Sequence, residues 1–102
     1  MNDQIPKVAG IPWYRLEDYE TAMTIMEDRK NLHRTYTEWR LAAEQAEKHM
    51  RRNGWATIRA YIDPGNFAAW CRSNGVNVDS KGRNHYANSI AVESARKLIG
   101  HN

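Results

Sequence analysis

One cysteine, three prolines, one phenylalanine and no long apolar run are the scarcities of this 102-residue chain. A lone thiol, Cys71, cannot close an intrachain disulfide, which fits a reducing compartment. No stretch approaches the ~18 apolar positions of a membrane span. The start, MNDQIPKVAGIPWYR, lacks a basic n-region followed by an apolar h-region, so the expected location is the cytoplasm, with no membrane contact. The four histidines, at 33, 49, 85 and 101, show no HxxxH or HxxH spacing, and there is no CxxC, GxSxG or GxxxxGK[ST]. Metal, serine-nucleophile and phosphate-loop chemistry thus find no support, and neither a cofactor nor a small-molecule ligand is expected. Cys71 lies within FAAWCRS on the apolar side of a helix, where burial raises a thiol pKa, so it reads as a small core residue and not a nucleophile. The expectation is a protein that is not an enzyme.

What is present argues for one folded domain. The chain is 41% hydrophobic and 26% charged, and carries four tryptophans and five tyrosines, too much ring surface for a disordered chain. Charge is uneven: residues 1–50 hold seven Lys/Arg against nine Asp/Glu, and residues 51–102 hold eight against three, which gives −2 and +5. A basic half can mark a nucleic-acid face, although solvated helix exteriors carry mixed charge as well.

Residues 1–13, with Pro6, Gly10 and Pro12, read as an extended N-terminal arm that Trp13 and Tyr14 anchor. A helix is expected over 15–28, where Leu16, Tyr19, Met23 and Met26 recur at helical spacing and Glu17 and Asp18 favour the first turn. After a polar connection at 29–34, a second helix opens on the capping box Thr35/Glu38 and ends before Gly54. Its apolar stripe is Tyr36, Trp39, Ala43, Ala46 and Met50, with His49 half-buried at the edge, while Glu44/Lys48 and Glu47/Arg51 occupy a solvated face. Its alanines invite a close antiparallel hairpin with the first helix.

WATIRAYI, residues 55–62, is the one good strand. Ala56, Ile58, Ala60 and Ile62 form its core face, and Trp55, Thr57, Arg59 and Tyr61 the other. Asp63-Pro64 caps a short third helix that ends at Gly75. A fourth follows from Asp79 or Ser80. It has one apolar face in Ala87, Ile90, Ala91, Ser94 and Leu98, and a second, thinner stripe in His85, Val92 and Ile99. A helix with two apolar sides calls for two neighbours.

The fold class expected is α+β: a small, mostly helical domain in the order α-α-β-α-α. A lone strand leaves unpaired backbone groups on each side. The N-terminal arm (KVAGI, 7–11), residues 76–78, or the same strand of a second copy must complete the minimal sheet. The expected function is a non-enzymatic interaction or regulatory module, acting as a homodimer or through a protein partner, with its surface at Trp55, Thr57, Arg59, Tyr61, His85, Val92 and Ile99. The alternative is a nucleic-acid-binding regulator that uses helices within 67–99 and presents Lys81, Arg83, Asn84, His85 and Asn88 from an exposed helix start.

Overall fold

The arm joins the sheet. The computed structural model describes residues 7–99, with the backbone alone for Leu98 and Ile99. In it β1 (Val8–Trp13) pairs in parallel with β2 (Ala56–Tyr61), from Val8 opposite Ala56 to Trp13 opposite Tyr61. The expected candidate at 76–78 stays a loop. The helices are α1 (Leu16–Ile25), α2 (Tyr36–Arg52), α3 (Pro64–Asn74) and α4 (Ser80–Ile99), with a 3-10 turn at Arg29–Asn31 between the first two. The observed order is therefore β-α-α-β-α-α, a mixed α+β domain.

Local signals set the helix ends. The Thr35 hydroxyl accepts from Glu38 N at 3.1 Å, and the Asp63 carboxylate accepts from Asn66 N at 3.0 Å with Pro64 as the first helical residue. Each side chain satisfies an amide that the helix start leaves free. Asp79 does the same for α4, its Oδ1 accepting from Gly82 N at 3.0 Å. Gly75 closes α3 at φ 66°, a left-handed conformation that costs glycine nothing.

Paired residues of a parallel ladder send their side chains to the same side, so the sheet has two definite faces. One carries Gly10, Ile58 and Ala60 and lies against Ala87 and Ala91 of α4, both buried. Small residues are needed here because β1 touches α4 backbone to backbone: a Cβ on Gly10 would stand 1.9 Å from the Ala87 carbonyl oxygen. The other face carries Ile11, Trp13 and Arg59 and is covered by Trp39, Ala43 and Glu47 of α2. The sheet is thus covered by a helix on each side, and the Ala/Ile face is only one of its two core faces.

Three expectations are corrected. Leu16 is 67% exposed, because α1 starts at this residue and buries Tyr19 and Ala22 instead. α1 and α2 do not close into a helix hairpin through alanines. Tyr19 meets Tyr36 and Trp39 ring to ring at 5.7 and 5.9 Å, and such rings hold the two helices apart. On α2 the buried stripe runs Trp39, Ala43, Glu47, so Ala46 and His49 are exposed, and His49 lies beside Asn53 Nδ2 at 3.2 Å.

The end of α1 is fastened to α4 by charge. Arg83 forks onto Asp28 with bonds of 2.8 and 2.9 Å and reaches the Met26 sulfur at 3.4 Å. Glu27 N donates to the Val78 carbonyl, and Val78 N donates back to the Glu27 carboxylate. No helix is long and apolar enough to cross a membrane among the described residues.

Candidate interaction site

Ala56 N donates to Lys7 O and Ile62 N to Trp13 O, both at 2.8 Å. Because the direction of backbone groups alternates along a strand, Ala56, Ile58, Ala60 and Ile62 serve the ladder to β1. Thr57, Arg59 and Tyr61 then aim their N–H and C=O groups away from β1. No backbone group among the described residues bonds to them. This is a free edge.

The two edges of the sheet differ in chemistry. The same alternation puts Val8, Gly10 and Pro12 on the outer edge of β1. Pro12 has no N–H to offer an incoming strand, and Gly10 is held down on α4. Proline on an edge is a common block to strand addition. β2 has no such block: Thr57, Ile58, Arg59 and Tyr61 are all suited to pairing.

Side chains frame the free edge. Trp55 is 36% and Tyr61 42% exposed. The Lys7 ammonium lies 5.5 Å from the Trp55 ring centre, and the Arg15 guanidinium 4.8 Å from that of Tyr61. Arg51 Nε donates to the Thr57 hydroxyl at 3.0 Å. Between them, Arg59 stacks 3.9 Å over the Trp13 ring and forks onto Glu47 with bonds of 2.8 and 2.9 Å. Glu47 is only 3% exposed, where a solvated surface charge was expected. Its burial is tolerable because Arg59 and Arg51 both bind it. The spacing Trp39, Ala43, Glu47, in steps of four, was the available signal that this carboxylate shares the buried stripe. An arginine on the facing strand supplied the matching partner.

Arginine hydrogen bonds, foremost among the causes, hold the carboxyls of both Glu47 and Asp28 below the usual carboxylate range. A carboxyl with a depressed folded pKa contributes stability above its unfolded value, and that contribution is lost as pH falls through the folded value. The melting temperature is therefore expected to hold from neutrality down to about pH 5 and to fall below about pH 4. Glu47→Gln should make that fall shallower, as a thermal melt at each pH would measure.

The remaining predicted residues fall on α4. His85 is exposed and stands 5.5 Å, edge-on, from the Trp70 ring, and Val92 is 54% exposed. Together with Asn88, Ser89, Glu93 and Arg96 they line a shallow groove. The Ile99 side chain lies outside the described residues. None of the predicted β2 residues lines this groove. Of the set proposed for nucleic acid, Lys81, Asn84, His85 and Asn88 are exposed, but Arg83 is 8% exposed and committed to Asp28. That helix start lacks its only arginine as a reader of bases or phosphates.

Cys71 is fully buried, and burial raises its thiol pKa, with Asp79 and Glu27 adding to the effect. Among the described residues no three His, Cys, Asp or Glu side chains converge on one point. Compared with family models, curated proteins and solved structures, the chain gives no match in any of the three.

Proposed function

We propose that this chain is a non-enzymatic interaction module that associates with a second copy of itself through the outer edge of β2. The supporting observation is the asymmetry of the sheet: one edge carries Pro12 and a half-buried Gly10 held against α4, whereas the other presents three consecutive outward ladder positions with no block. An antiparallel pairing about a two-fold at Arg59 sets Thr57 of each copy opposite Tyr61 of the other, an isologous contact made from one segment. Like charges directly opposite normally repel. Here each Arg59 is forked onto its own Glu47, which offsets that repulsion in part, the carboxylate being shared with Arg51. The ends match as well. Lys7 and Arg51 beside the start of one β2 meet Asp63 at the end of the other.

Light scattering at tens of micromolar should give twice the mass of one chain. Thr57→Pro removes an outward N–H and spares every bond to β1, as Pro12 does on β1. It should weaken association by roughly tenfold or more while leaving the far-UV circular dichroism unchanged. A wild-type chain that remains monomeric, or a proline variant that associates equally well, refutes the edge as the contact.

A further inference from the structure

The open edge of β2 carries its charge unevenly. Three cations reach the first half of the strand: Lys7 at the Trp55 ring, Arg51 on the Thr57 hydroxyl, and Arg59 from β2 itself. One carboxylate, Glu47, meets both arginines and is buried beneath them. Three cations against one carboxylate leave an excess of positive charge. At the far end Arg15, over the Tyr61 ring, has Asp18 at 3.8 Å, and Asp63 follows the strand, so no such excess stands there.

A strand added to this edge meets two kinds of surface. Its alternate residues lie beside Thr57 and Arg59 on the α2 face of the sheet, and those between lie beside the exposed Ala56 and the half-buried Ile58 on the α4 face. The strand that complements both has carboxylates on one side and β-branched residues on the other. A second copy of β2 brings another Arg59 to the centre of the contact, where an acidic strand would bring the opposite charge. The spacing of the cations fits as well. Lys7 and Arg51 stand at Trp55 and Thr57, two positions apart, which is the repeat of residues on one face of a strand.

We propose that the outer edge of β2 takes up, by strand addition, an extended acidic segment of a protein partner in which Asp or Glu at every second position alternates with β-branched residues. Main-chain bonds to Thr57 and Arg59 supply the ladder, and the alternating side chains supply the selection. The Arg51 side chain is 57% exposed, and a guanidinium has five N–H donors, so Arg51 takes a carboxylate of the partner while it holds Glu47. Lys7, also exposed, takes the next one. The proposal rests on the same open edge as the self-association but not on the self-association itself, and the two occupants exclude one another.

The test is fluorescence anisotropy of the full chain with two labelled peptides of one composition, Ser-Glu-Val-Glu-Val-Thr-Ser and Ser-Glu-Glu-Val-Val-Thr-Ser, the second sending its carboxylates to opposite faces. The first should bind about tenfold more tightly, the worth of one charge-assisted hydrogen bond. Thr57→Pro should weaken it by about tenfold or more. Lys7→Gln combined with Arg51→Gln changes two exposed residues and leaves Glu47 to Arg59, so the far-UV circular dichroism should persist while the preference between the peptides disappears. Equal affinity for the two peptides, undiminished binding to the Thr57→Pro chain, displacement of the first peptide by an equal concentration of oligothymidylate, which would reveal attraction to any polyanion, or no binding at millimolar peptide would each overturn the proposal. Light scattering on the same samples reads self-association separately. A chain that stays monomeric yet prefers the first peptide refutes the dimer and supports the acidic partner, and a dimer without that preference refutes the acidic partner alone.

Discussion

Gly10→Ala is expected to destabilise the domain by about 3 kcal/mol or more, at or beyond the upper end of the usual overpacking range. The added carbon would lie 1.9 Å from the Ala87 carbonyl oxygen and 2.4 Å from its carbon, and both are backbone atoms. A side chain could rotate away. A helix backbone cannot, so β1 would have to lift off α4, exposing Ala87 and Ala91 and straining the ladder to β2. Small domains hold only about 5–15 kcal/mol in total, so the loss would be a large share. Urea unfolding followed by tryptophan fluorescence measures it. Gly65→Ala is the control: its nearest contact is the Asp63 carboxylate at 3.7 Å, an ordinary distance, and no loss is expected there.

Arg83→Ala is expected to cost about 3–5 kcal/mol, because it leaves the Asp28 carboxylate largely buried with no cation to answer it. The two side chains are 10% and 19% exposed, so water offers little replacement. Lysine should not rescue the loss, since it lacks the planar fork that meets both carboxylate oxygens. The double substitution Asp28→Leu with Arg83→Met should recover most of the stability, since an apolar pair of similar bulk carries no desolvation penalty. Urea unfolding of Asp28→Leu, of Arg83→Met and of the double variant closes the cycle. A double variant as unstable as the Arg83→Ala chain would show that the fork is not the cause.

Much of the fold could be read from local chemistry. Thr35, Asp63, Pro64, Gly54 and Gly75 are signals that act within a few residues of themselves, and they appear where expected. The β2 alternation was equally local. β1 was harder to read, because Gly10 and Pro12 suggest a break in regular structure. Glycine is required there by the close approach of α4, and proline is harmless because its missing N–H faces outward. Neither reason exists until residues almost fifty or more positions apart meet. The Arg83–Asp28 pair, 55 residues apart, was hidden for the same reason: beside Lys81 and Asn84 an arginine looks like one more surface cation. Glu47 was misread because a Glu four residues before an Arg is the commonest form of exposed helix pair. The partner that draws it inward sits on another element.

The parallel pairing also sets an order of events during synthesis. β1 leaves the ribosome before both of its partners: its neighbour β2 ends at Tyr61, and its cover, Ala87 and Ala91, comes later still. Until then Val8–Trp13 has no ladder and no lid, and the helices formed meanwhile lack the surface on which they settle. Folding of this domain must therefore wait until α4 has been made, and a nascent chain stalled before α4 would carry an adhesive, unsheltered strand.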